Sequence, residues 1–247
     1  FIVLMKSDKY IKLSLRELRI DKRVLGQILE IGLPAGIQSA VFAISNIIIQ
    51  AAINSLGTIV IAASSAAFNI EVIAYDVFNS FSQACTTFVG QNYGAGKPER
   101  IWSGIKASTL MMVVYTAVTF LILMVGAKSF ALIFVDPSEI EILEKTELFL
   151  HISVSFFPML GLLCILRYTI QGVGYTNLAM FSGVSEMIAR ILVSIYAVPA
   201  FGFIAVCYGD PMAWIAADLF LVPAFIYVYR RLKKQVFTNS QVTQTVA

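Results

Sequence analysis

Charged residues are scarce in this sequence. They make up 13% of its 247 residues, against 58% hydrophobic, whereas a soluble domain carries about 25% charged residues. A fold of this size has too little interior to hide that much apolar surface. A water-soluble enzyme and a disordered chain are both excluded. Histidine occurs once, as His151, and cysteine three times, as Cys85, Cys164 and Cys207. These residues are scattered in apolar surroundings, with neither a zinc spacing nor a disulfide framework. No metal and no cofactor are expected. Catalytic motifs are missing as well: there is no Ser/His/Asp set, no HExxH and no Gly-x-Ser-x-Gly. No catalytic residue is assigned, and the chain is not read as an enzyme. Gly94-Ala95-Gly96-Lys97 fails as a phosphate loop, because Gln91 stands at the earlier glycine position and Pro98 follows the lysine. No signal-peptide pattern and no nucleic-acid partner are read.

What is present is a series of long apolar runs. Six segments, at about 31–53, 64–89, 103–127, 147–170, 177–199 and 211–230, are each long enough to span hydrocarbon. All are expected to be helical, because an open strand cannot satisfy its backbone in lipid. The fold class is therefore all-α, a polytopic six-helix transmembrane bundle with the lipid bilayer as its surroundings. Residues 1–30 read as the end of a preceding helix, Phe1–Met5, followed by a basic cytoplasmic link. Residues 31–232 form the membrane lobe and 233–247 a cytoplasmic tail. Pro34 falls near the start of the first segment, where proline costs little. Pro158 and Pro223 fall inside the fourth and sixth and can kink them.

Lys and Arg set the orientation. Lys6, Lys9, Lys12, Arg16, Arg19, Lys22, Arg23, Lys97, Arg100, Lys106, Arg230, Arg231, Lys233 and Lys234 lie on connections of one side. Lys128 and Lys145 lie on the other. This bias places both ends of the chain in the cytoplasm of a plasma-membrane protein.

Polar residues inside the spans carry the functional reading. Gln38, Asn46, Gln50 and Asn54 form a slowly drifting stripe on the first segment. Asn69, Asp76 and Gln83 repeat every seven residues on the second. Such stripes face protein or water, not lipid. They serve either as interhelical hydrogen bonds or as the lining of a water-filled cavity. Asp76 must be protonated, paired or wetted. Glu71 lies on another face and reads mostly as a packing or loop contact. Glu186 and Arg190 stand at i, i+4 and are expected to form a structural ion pair, with Asp218 as a second partner for Arg190. Arg167 is expected to snorkel from the end of the fourth segment.

Four stretches resemble the multidrug and toxic compound extrusion (MATE) family. They are Glu30-Ile31-Gly32-Leu33-Pro34-Ala35-Gly36-Ile37-Gln38, Phe88-Val89-Gly90-Gln91-Asn92-Tyr93-Gly94-Ala95-Gly96-Lys97, Gln171-Gly172-Val173-Gly174 and Ala213-Trp214-Ile215-Ala216-Ala217-Asp218. Their order and spacing are similar to those of the C-terminal half of that family. The resemblance implies one six-helix lobe of a twelve-helix antiporter, with an N-terminal six-helix lobe as partner. It implies export of cationic or amphipathic drugs in exchange for protons or sodium ions by alternating access. Gln38, Phe42, Asn46, Asn69, Tyr75, Asp76, Gln83 and Met159 are the expected cavity residues. The acids of the family's sodium-coupled subgroup are matched here by about Phe42 and Leu160, both apolar, so that sodium site is not supported. Two other functions stay open: a lipid-linked saccharide flippase, and a non-transporting membrane scaffold.

Overall fold

The computed structural model describes the backbone over residues 20–245 and side chains over residues 20–233. Helix α1 (Lys22–Asn54) starts at Asp21, whose carboxylate accepts from the amides of Arg23 at 2.8 Å and Val24 at 3.3 Å. That cap satisfies two of the donors every helix start leaves open. The helix thus begins well before residue 31, and the basic residues Lys22 and Arg23 are its first turn. Pro34 sits inside α1 and not near its start. The Asp21 cap decides the start, and a membrane helix tolerates an internal proline. The remainder of the expected basic link, with Phe1–Met5, lies outside the described residues.

Helix α2 (Thr58–Gly94) follows Gly57, whose φ of 95° needs a residue without a Cβ. Helix α3 (Pro98–Ala131) starts on a proline in its first turn. In the α3–α4 loop, Asp136 accepts from the Ser138 amide at 2.9 Å and the Ser138 hydroxyl at 2.6 Å. These bonds hold the Asp136 carboxyl below the ordinary aspartate range. The expected fourth span is two helices, α4 (Ile140–Ser155) and α5 (Phe157–Gly172), bent by 47° across Phe156. Pro158 occupies the first turn of α5 and supplies no donor to continue α4. Helix α6 (Thr176–Leu192) runs through a π-helical turn, Val193–Ala197, into α7 (Val198–Phe201). Two further helices are α8 (Phe203–Cys207) and α9 (Gly209–Thr245). Pro223 lies within α9 without ending it.

Five helical runs are long and apolar enough to cross a membrane, and the bent α4–α5 pair makes a sixth. The chain is an all-α, multi-pass membrane protein. Two groups of helices form it. Helix α2 packs against α3, α4 and α5, while α6 packs against α1 and α9. Helix α5 touches both α2 and α9 and joins the groups. Where they meet, Phe78, Phe157 and Trp214 are fully buried. Their rings stand edge to face, 5.6 Å for Phe78–Phe157 and 6.0 Å for Phe157–Trp214. Because lipid is as apolar as leucine, close packing of this kind, not hydrophobic drive, holds membrane helices together.

The tightest α2–α5 approach is at Gly172. A Cβ there would stand 2.9 Å from the Thr86 carbonyl oxygen and 2.9 Å from Val89 Cβ. Gly172→Ala should therefore cost about 1–3 kcal/mol of stability, read as a lowered thermal unfolding temperature in detergent. Gly26→Ala, with nothing within 4 Å, should leave that temperature unchanged.

Candidate functional site

The expected cavity residues divide by helix. On α2, Asn69, Asp76 and Gln83 are all exposed, and Asn79, Ser80 and Thr87 lie exposed beside them. The neighbouring hydroxyls and the first amide turn back on their own helix. Asn69 donates to the Ser65 carbonyl at 2.9 Å, Ser80 to that of Asp76 at 2.8 Å and Thr87 to that of Gln83 at 2.9 Å. The stripe is therefore not the glue of this bundle. From Asn69 to Gln83 it is an open polar face about four turns long, counting seven-residue repeats as two turns each. Tyr75 is adjacent in sequence but turns inward. Its ring lies 6.4 Å from that of Phe157 and 6.1 Å from that of Trp214. Met159 on α5 is exposed.

The α1 residues are placed differently. Gln38 is buried and accepts from Gln171 Nε2 at 3.0 Å. Phe42 lies under the Arg167 guanidinium, 5.4 Å from ring centre to Cζ. Asn46 accepts from Arg190 Nη1 at 3.3 Å. Gln50 and Asn54 are exposed and bonded to each other at 2.9 Å. This change from buried to exposed follows from the helical period. Sixteen residues from Gln38 to Asn54 turn the stripe by roughly 160°.

Behind these faces lies a buried ionic network that corrects the expected pairing. Glu186 and Arg190 do not pair with each other. Glu186 on α6 binds Arg167 of α5, and Arg167 Nε also donates to Ser182 Oγ at 3.0 Å. Arg190 binds Asp210 at the start of α9, 2.7 Å from Nη2 and 3.0 Å from Nε. Its Nη1 donates to Ser45 Oγ of α1 at 3.2 Å. Arg167 does not snorkel, being only 4% exposed. Asp218 faces Arg167, not Arg190, and neither of its oxygens has a hydrogen-bond partner.

The physical reason is the shape of the guanidinium. It presents five donors in a fixed fork, and one carboxylate on the same helix reaches only one edge of it. Acceptors on several helices satisfy it better. Glu71 is also in the core, 2% exposed, with Ser153 of α4 and Asp210 in reach. Asp210 was missed because Gly209 and Pro211 make its surroundings read as a loop. Glu71 carried a signal: it shares its helix face with Ala67, Ala74 and Phe78, all buried.

Three comparisons bear on this arrangement. The MatE family model matches residues 34–196. The chain belongs to the MatE family. The all-α, multi-pass membrane fold agrees with that membership. The chain is similar to an outward-facing multidrug resistance MATE transporter of the MOP superfamily, at 17% identity and a TM-score of 0.81, over 94% of this chain and 52% of that one. It is similar to a MATE protein in a bent conformation at 17% identity and a TM-score of 0.79, over 93% and 51%. A MOP superfamily transporter from Pyrococcus furiosus, described as having a binding pocket of reverse polarity, matches at 16% identity and a TM-score of 0.79, over 94% and 52%. The chain thus spans about half the length of these structures. Among curated proteins none matches.

The corrected pairing has a direct test in double-mutant cycles on thermal stability. Arg167→Met with Glu186→Gln should show a coupling of about 1–3 kcal/mol. Arg190→Met with Glu186→Gln should show a clearly smaller one, and the reverse order would restore the intrahelical pair.

Proposed function

We propose that the chain is one six-helix lobe of a secondary antiporter, working against a second six-helix lobe. The lobe exports cationic or amphipathic compounds in exchange for protons or sodium ions. The carrying observation is the open polar stripe of α2, with Asn69, Asp76 and Gln83 exposed on a transmembrane helix. Lipid does not tolerate such a face, so it lines a cavity with the second lobe. In that cavity Asp76 is the fixed negative charge that attracts a cationic substrate, and Gln83, Asn69 and Asn46 offer hydrogen bonds.

Transport proceeds by rocking of the two lobes around the cavity, with ion binding shifting the balance between two states. The bend at Phe156 supplies a place where one span can flex. In the plasma membrane both ends of this chain lie on the cytoplasmic side, as the Lys and Arg bias requires. A flippase for lipid-linked saccharides needs free cations in the cavity. Arg167 and Arg190 are both engaged by carboxylates inside the lobe, which removes support for that reading.

Two outcomes are expected. In the transporter assembled with its second lobe, Asp76→Asn should lower export of a cationic dye from vesicles by at least about tenfold, the loss of one charged hydrogen bond. Unchanged export at normal expression would remove Asp76 from the site. In intact membranes, Gln83→Cys should react with a hydrophilic maleimide, because thiolate forms only in water. Val125→Cys, on an 89% exposed apolar position of α3, should not react. The three native cysteines are buried and give a low background.

A further inference from the structure

The buried network has an imbalance that pairing alone does not remove. Each guanidinium binds one carboxylate, and two further buried carboxyls have oxygens without a hydrogen-bond partner. Arg190 binds Asp210, and both contacts fall on the same oxygen, Oδ1. Next to Asp210 lies Glu71, 2% exposed, whose Oε1 has no hydrogen-bond partner. Arg167 binds Glu186. Next to Arg167 lies Asp218, 6% exposed, with both oxygens unpartnered. Glu71 thus stands beside the carboxylate of one ion pair, and Asp218 beside the guanidinium of the other.

Among the described residues no further cation faces either carboxyl, and Lys145 of α4 reaches only as far as Cys207. Around Glu71 stand Ser153 of α4, Cys207 of α8, Asp210 of α9 and Tyr75 of α2, with Arg190 of α6 reaching Tyr75. Ser153 is itself fully buried, and its hydroxyl has no partner. Around Asp218 stand Arg167 and Cys164 of α5, with Glu186 of α6 holding Arg167. A carboxylate without donors, removed from water, is among the costliest groups a membrane protein can bury. One positive charge at each carboxyl removes that cost.

We propose that Glu71 and Asp218 each hold one exchangeable monovalent cation, a proton or an alkali-metal ion. This inference rests on the antiport reading, for which it names coupling residues on α2 and α9. When the cation leaves Glu71, its carboxylate repels that of Asp210, which holds Arg190. When the cation leaves Asp218, its carboxylate competes with Glu186 for Arg167. The first event sets α2 against α9, and the second moves a guanidinium between α6 and α9. Cation release thus changes which helices are tied together.

The test uses the full chain in lipid nanodiscs. Infrared spectra in sodium-free buffer read protonated carboxyls, isotope-labelled glutamate separates Glu71 from Asp218, and radiosodium binding reads the metal ion. One bound cation at each of the two carboxyls is expected, as a carboxylic-acid band or as bound sodium that abolishes the band. Glu71→Gln and Asp218→Asn should each remove one, and the double variant both. Either carboxyl whose substitution leaves occupancy unchanged is overturned as a site. A wild-type chain with neither protonated carboxyl bands nor bound sodium overturns the whole proposal, and that reading needs no variant to fold. Dye export by the assembled transporter is measured separately. Bound cations without export would refute the antiport reading and leave the sites. Export without bound cations would refute the sites and leave the antiport reading.

Discussion

Two guanidiniums held away from water in hydrocarbon constrain this bundle more than any other feature. Arg167 and Arg190 are 4% and 6% exposed, so their donors must be met by protein. Meeting them draws residues from four helices together: Ser45 and Asn46 from α1, Arg167 from α5, Ser182, Glu186 and Arg190 from α6, and Asp210 from α9. Helix α1 shows the consequence. It has little contact with α2, its neighbour in sequence, and packs chiefly against α6. The Arg190 bonds to Ser45 and Asn46, and the Gln38–Gln171 bond, tie it to the rest. A buried ion pair adds little net stability over a well-packed apolar contact. The planar fork of arginine does fix direction, and direction decides which helices meet.

The same economy of polar groups explains the division of the surface. The α3 helix presents Leu110, Val113, Val114, Val118 and Val125 outward, a face suited to lipid tails. The α2 helix presents Asn69, Asp76 and Gln83. A row of polar side chains suits neither lipid tails nor an apolar core. The polar stripe is such a row. The ion pairs and Glu71 are buried within the bundle, so the open face and the buried network are separate features joined through one helix.

Much of the fold was legible in the residues. Apolar length gave the six spans, and Pro158 marked the break now seen at Phe156. The helix starts were less legible. Asp21 caps a helix that the apolar pattern alone begins near residue 31, because hydropathy reports the lipid-facing part of a helix and not its whole length. Of the candidate site, the seven-residue stripe on α2 was legible as a face that lipid cannot cover. Its openness in this lobe was not. The α1 stripe was legible as drifting, but not as drifting from a buried Gln38 to an exposed Asn54.

The sequence by itself determined composition-level facts: an all-α membrane protein, its spans, its polar stripes and the presence of buried charge. These depend on hydropathy and helical period, which act along one chain segment at a time. The tertiary structure decided the partners. Glu186 and Arg190 stand one turn apart, a spacing that suits a pair, yet each turned to another helix. An isolated helix offers a guanidinium one edge contact, while neighbouring helices offer the several acceptors that its removal from water demands. Glu71 and Asp218 followed from that choice, left beside the pairs with unpartnered oxygens.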